Sequence, residues 1–175
     1  MTTYGAFLRG VNLGPTRKVA MPRLRELAAG LGYDDIATLQ SSGNLLLTTD
    51  RSAEQVEREL SAALVDEYGL TVDVAVRSAD ELRALLASNP YPDGSPSQVT
   101  VAFLTGPPSA EAAERLRATA TDNEPFTIAA REVWVHYGDG QARSKLAARF
   151  SAVVGVSATV RTVGTLGRIV AKLTG

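Results

Sequence analysis

The 175-residue sequence has no cysteine, which removes disulfides, thiolate nucleophiles and sulfur-ligated metals together. Nothing in it asks for an oxidising compartment, so a cytoplasmic location is the expectation. A single histidine, His136, gives a histidine-built metal site or a Ser/His/Asp triad almost nothing to draw on. In "EVWVHY" it alternates onto one strand face with Trp134, as a packed or surface residue does. Long hydrophobic runs are also missing. The most apolar stretch, "FSAVVGVSATV", is interrupted by Gly155 and falls far short of the roughly 20 residues a bilayer span needs. The opening "MTTYGAFLRGVNLG" has no basic segment before an apolar one, so it reads as a strand rather than a signal peptide. Neither G-x-G-x-x-G nor a Walker loop occurs, and no cofactor is expected.

Acids are absent from two long segments. Residues 1–25 hold Arg9, Arg17, Lys18, Arg23 and Arg25, and residues 140–175 hold Arg143, Lys145, Arg149, Arg161, Arg168 and Lys172. Eleven of the 18 basic residues thus stand in acid-free sequence, and all 19 acids lie in 26–139. The formal net charge of -1 hides a polarised chain. Basic ends that converge on one face would attract anions; acids crowding the exposed faces of the middle helices would produce the same count with no ligand.

Hydrophobic periodicity gives the order of elements. A strand over 4–9 is followed by a helix opened by Pro22, with Leu24, Leu27, Ala28 and Leu31 as its stripe and Gly32 at its end. Runs 36–40 and 44–49 flank "SSG" as a hairpin, which leaves Asp34 and Asp35 in a solvated turn before it. Ser52 and Gln55 form a capping box for a helix carrying Val56, Leu60, Leu64 and Tyr68, and Val72, Val74 and Val76 alternate as a strand. A second box, Ser78 with Glu81, starts a helix through Leu82, Leu85 and Leu86. After the linker 89–97 the order recurs: strand 98–104, helix 110–119, strands 126–130 and 132–137, helix 144–154, strand 157–161. A last helix carries Leu166, Ile169, Val170 and Leu173. The expected fold is α+β, with two ferredoxin-like β-α-β-β-α-β halves, residues 1–88 and 98–175, and an extra helix after each. The repeat lies in element order, with no obvious residue identity between halves.

Three stretches have the composition of anion sites. "RGVNLGPTRK" joins a strand to a helix and offers Arg9, Asn12 and Lys18 on a glycine-containing loop. "GDGQARSKLAARF" places Ser144 and Lys145 at the opening of a helix, and Arg161 ends a strand where it can clamp an anion or pair with a carboxylate. In "SSGN", Gly43 serves a turn, while Ser42 and Asn44 are polar groups at its shoulder. No carboxylate pair stands out as acid and base, so catalytic residues are unassigned.

Several pieces together resemble the bacterial family called domain of unknown function 1697: "FLRGVNLG", Met21 with Leu24, "LGY" at 31–33, "SGN" at 42–44, "NPY" at 89–91, "VAFL" at 101–104, "SKL" at 144–146, and Thr159, Arg161 and Thr165. The chain departs from that pattern at Pro15, where the family usually carries a second glycine, and at "VRTVGT", which lacks the family's late tryptophan and asparagines. The resemblance implies no activity. Composition and motifs favour a binder of an anionic ligand, either a nucleotide-like or phosphorylated metabolite or nucleic acid, through Arg9, Asn12, Lys18, Ser42, Gly43, Asn44, Ser144, Lys145 and Arg161. The alternatives are an enzyme acting on a small phosphorylated or carboxylated substrate, and a structural or interaction module without a ligand.

Overall fold

The computed structural model describes residues 1–175 and contains two compact units, residues 1–84 with 168–175, and residues 85–167. In the first, β1 (Thr2–Leu8), α1 (Met21–Gly30), β2 (Asp34–Leu39), β3 (Asn44–Thr49), α2 (Ala53–Tyr68) and β4 (Val74–Ser78) build an antiparallel sheet of order β2-β3-β1-β4, followed by α3 (Ala79–Ala87). In the second, β5 (Val99–Leu104), α4 (Ala112–Thr119), β6 (Phe126–Ile128), β7 (Glu132–His136), α5 (Lys145–Ala148), α6 (Phe150–Val154) and β8 (Ala158–Thr162) build a sheet of order β6-β7-β5-β8; α7 (Val163–Thr174) follows β8, and its residues from 168 on belong to the first unit. The fold is α+β in two similar halves. No helix is long and apolar enough to cross a membrane.

Alternation decides which strand residues meet the helices. In the first unit Tyr4, Ala6, Leu8, Leu45, Leu47, Val74 and Val76 pack with Leu24 and Ala28 of α1 and Val56, Leu60 and Leu64 of α2. In the second, Ala102, Leu104, Val133 and Val135 pack with Leu116 of α4, Leu146 of α5, and Phe150 and Val154 of α6. Each fully buried leucine contributes about 1.5–3 kcal/mol. Both capping boxes form: Ser52 and Gln55, and Ser78 and Glu81, exchange side-chain and backbone hydrogen bonds in both directions.

Three sequence expectations are corrected. Asp34 and Asp35 are not a turn but open β2, where the register shifts between Asp34 and Ala37 and Asp35 has φ 49°. The helix expected over 144–154 breaks at Arg149 (φ -120°, ψ 13°) into α5 and α6. The halves also share more than element order. Ala6-Phe7-Leu8 and Ala102-Phe103-Leu104 sit in the same register: Ala6 faces Val76 and Leu45, and Ala102 faces Val160 and Val133. Gly5 faces Arg77 as Val101 faces Arg161. Leu8 N–H donates to Gly43 O (2.8 Å) as Leu104 N–H does to Arg131 O (2.9 Å), and Arg9 N–H to Asp73 O as Thr105 N–H to Ser157 O (both 3.0 Å). Arg23-Leu24-Arg25 in α1 matches Arg115-Leu116-Arg117 in α4, each around a fully buried leucine. Val76-Arg77-Ser78 matches Val160-Arg161-Thr162, and α2 and α6 both end on a left-handed glycine, Gly69 and Gly155.

Candidate functional site

The loop after β1 and the hairpin turn before β3 meet at one end of the first sheet. Asn12 sits at φ 57°, a left-handed conformation that asparagine tolerates better than most residues. Its Nδ2 donates to Val19 O (2.8 Å) and Ser41 O (2.7 Å), and its Oδ1 accepts from Val19 N–H (2.9 Å). Arg17, also left-handed at φ 58°, donates to Gly10 O and Thr71 O. Two side chains therefore hold the loop, and the polar handle expected to meet a ligand is turned inward. The tip is left bare: Leu13 is 83% exposed, and Gly14, Pro15 and Thr16 are exposed beside it.

In the turn, fully buried Asn44 donates to Leu39 O (2.9 Å) and to Ser42 Oγ (3.0 Å). Gly43, at φ 82°, lies so near the β1 end that a Cβ there would stand 2.7 Å from Val11 Cγ2 and 2.8 Å from Leu8 Cβ. Only glycine meets both demands. Arg9 leaves the same strand end with its guanidinium 3.5 Å from the Asp73 carboxylate, and Lys18 is exposed with no hydrogen bond or ion pair. The structure thus gathers Asn12, Ser42, Gly43 and Asn44 into one hydrogen-bonded joint.

The remaining expected residues stand on separate elements of the second unit. Ser144 caps α5, its Oγ accepting from Ala147 N–H (3.0 Å), but that helix has only 4 residues and a correspondingly small dipole. Lys145 is exposed. Arg161 lies on the edge strand β8, where its Nη1 donates to Val160 O (2.9 Å), and burial pushes its guanidinium down to about 10. Arg77 makes the same bond to Val76 O (2.8 Å) on the edge strand β4, beside Glu57 at 3.9 Å, whose Oε1 accepts from Val76 N–H. On each of these two edge strands an arginine thus folds back onto the carbonyl of the residue before it.

One feature of the second unit escaped sequence reasoning. Between α4 and α6 runs a groove of about 270 Å³ lined by Arg115, Ala118, Thr119, Arg149, Ala152 and Val153. Exposed alanines at 118 and 152 leave the dent, and two arginines border it with no carboxylate among the lining residues. The available signal was Arg149 within the acid-free C-terminal run. No group of three or more histidine, aspartate or glutamate side chains gathers as a metal site would.

The family model described as a protein of unknown function, DUF1697, matches residues 1–134. The chain belongs to that family. The DUF1697 chain is also similar to a solved structure, a conserved bacterial protein from Streptococcus pneumoniae, at 19% identity over 98% of both chains with a TM-score of 0.76. That likeness carries the fold. No curated protein matches the chain.

Proposed function

We propose that this DUF1697 protein binds a small anionic ligand, a phosphorylated or carboxylated metabolite, through its second unit. One contrast supports this reading. In the first unit Arg9, Arg23, Arg51, Arg77 and Arg83 each lie within 4.0 Å of a carboxylate, while Lys18 and Arg58 are exposed with no ion pair. In the second, Arg115, Arg117, Arg143, Lys145 and Arg149 are exposed and make no ion pair. The unit's charges balance as a whole, but Arg115 and Arg149 border one groove with no carboxylate among its lining residues, a local positive potential that anions can neutralise. Lys145, expected from the sequence, belongs to this group; Asn12, Ser42 and Asn44 serve the joint described above.

The test is a panel of melting temperatures with inorganic phosphate, phosphorylated sugars, dicarboxylates, nucleotides and a short oligonucleotide, at low and moderate salt. Small anions should raise the melting temperature with saturation, as a ligand that binds only the folded state does. If the oligonucleotide alone stabilises, with a steep loss on adding salt, the partner is nucleic acid instead. If none of the panel shifts melting, the reading is wrong.

A further inference from the structure

The duplication supplies an internal control for the groove between α4 and α6. In the first unit, Arg23 on α1 reaches across to α2 and holds Glu67 in a fork, Nε to Oε1 at 2.7 Å and Nη2 to Oε2 at 2.9 Å, while Nη1 meets Glu26 Oε2 at 2.8 Å. Two carboxylates thus neutralise one guanidinium.

The second unit keeps the arginine and lacks both acids. Arg115 stands where Arg23 does in the shared Arg-Leu-Arg segment, three residues before Ala118 as Arg23 is before Glu26. Counted back from the left-handed glycines that end the two helices, Glu67 precedes Gly69 by as many residues as Val153 precedes Gly155. Val153 therefore replaces the forked carboxylate. By the same count Arg149 stands where the first unit has Ala63. One copy of the fold has a closed Arg–carboxylate clamp; the other has two arginines and open space at the corresponding place.

We infer that the α4–α6 groove is a binding site for a compact dianion, a phosphate monoester or a small dicarboxylate, held by Arg115 and Arg149. This rests on the anion-binding reading above and assigns it a place and a ligand class. An oxyanion in the groove takes the position of the missing Glu67 carboxylate, so the guanidinium fork of Arg115 meets two oxygens as Arg23 does. Arg149 adds the second positive charge, which favours a dianion over a monoanion. Thr119 lines the groove with a hydroxyl already donating to Arg115 O (2.8 Å), so its oxygen can accept from a hydroxyl on the ligand's carbon body. Ala118, Ala152 and Val153 give the ligand's carbon body a small apolar wall. A volume of about 270 Å³ suits a molecule of metabolite size rather than a polymer.

The experiment is calorimetric titration of the full chain with inorganic phosphate, malonate and acetate, on the native protein and on Arg115→Ala, Arg149→Ala and Ala118→Glu. The last installs an acid at the Glu26 position on an exposed residue and leaves both arginines in place. Phosphate or malonate should bind the native chain more tightly than acetate does, and each substitution should weaken that binding roughly tenfold or more. Binding by phosphate but not malonate selects the monoester; the reverse selects the dicarboxylate. If anions bind all four proteins equally, anion binding survives and the groove is overturned. If none binds the native chain, both fall together. Melting temperatures within a few degrees of the native protein show that the variants remain folded.

Discussion

Replacing Gly43 with alanine probes how tightly the β1 end and the hairpin turn are joined, because the structure separates two penalties there. The first is conformational: at φ 82° an L-residue is strained by about 1–2 kcal/mol. The second is steric: the new methyl would sit 2.7 Å from Val11 Cγ2 and 2.8 Å from Leu8 Cβ, both on fully buried residues that cannot swing aside, and forced overpacking of this kind adds about 1–3 kcal/mol. The expected loss is about 2–5 kcal/mol. Two neighbouring glycines isolate the terms. Gly10 has φ 64° with nothing within 4 Å of a Cβ, so Gly10→Ala should lose only about 1 kcal/mol; Gly14 has an ordinary φ and equally open space, so Gly14→Ala should stay within about 0.5 kcal/mol. Urea unfolding followed by circular dichroism reads the series, with a slope of about 2 kcal/mol per molar placing the Gly43→Ala midpoint about 1–2.5 M below the native one. Equal midpoints for Gly43→Ala and Gly10→Ala would show that the methyl is accommodated and refute the close-approach argument.

Further expectations follow from the loop and the charge pairs. Asn12→Ala removes three side-chain hydrogen bonds and a residue suited to φ 57°, and should lower stability by about 2–4 kcal/mol, with faster amide exchange at Val19. The Glu67 carboxyl is held below its usual range by its hydrogen bond from Arg23. That contribution is fully present above the ordinary carboxylate range near pH 4 and is lost as pH falls through the lowered native value. Glu67→Gln should therefore flatten the acid side of the melting-temperature profile between about pH 5 and 2, and an unchanged profile would show that the exposed clamp adds nothing. Glu57→Ala removes the acceptor of the Val76 N–H and a carboxylate near buried Arg77; an expected loss of about 2–3 kcal/mol is measured by urea unfolding.

The element order was legible because each signal had a local cause. Ser52 with Gln55 and Ser78 with Glu81 mark helix starts by side chains three residues apart, while alternation in 72–76 and short apolar runs in 44–49 and 99–104 mark strands. What local pattern could not show depends on partners far away in sequence. Asp34 and Asp35 belong to a strand because Asp34 pairs with Thr48, and the break at Arg149 leaves the apolar spacing on either side intact. Residue identity between the halves is hidden by shortening connections: Ala6 and Ala102 are 96 positions apart, Leu24 and Leu116 92, Leu45 and Val133 88, and Val76 and Val160 84. No single offset aligns them. Among candidate site residues, composition found polar groups at loops but could not show that the Asn12 amide is already spent on backbone carbonyls and the Asn44 amide on the Leu39 carbonyl and the Ser42 hydroxyl. Nor could it reveal the Arg115–Arg149 groove, which exists only because α4 and α6 pack together and whose lack of carboxylates stands out only beside Arg23 and Glu67.

The claim that the second unit holds an anion where the first holds its own carboxylate is tested most directly by titrating an isotopically labelled chain with inorganic phosphate, then malonate, and following each backbone amide by NMR. Saturable shifts should cluster at Arg115, Ala118, Thr119, Arg149 and Ala152, with the matching region around Arg23 and Glu67 unmoved. Shifts of equal size in both halves, or none in α4 and α6 at concentrations that saturate stabilisation, would contradict it.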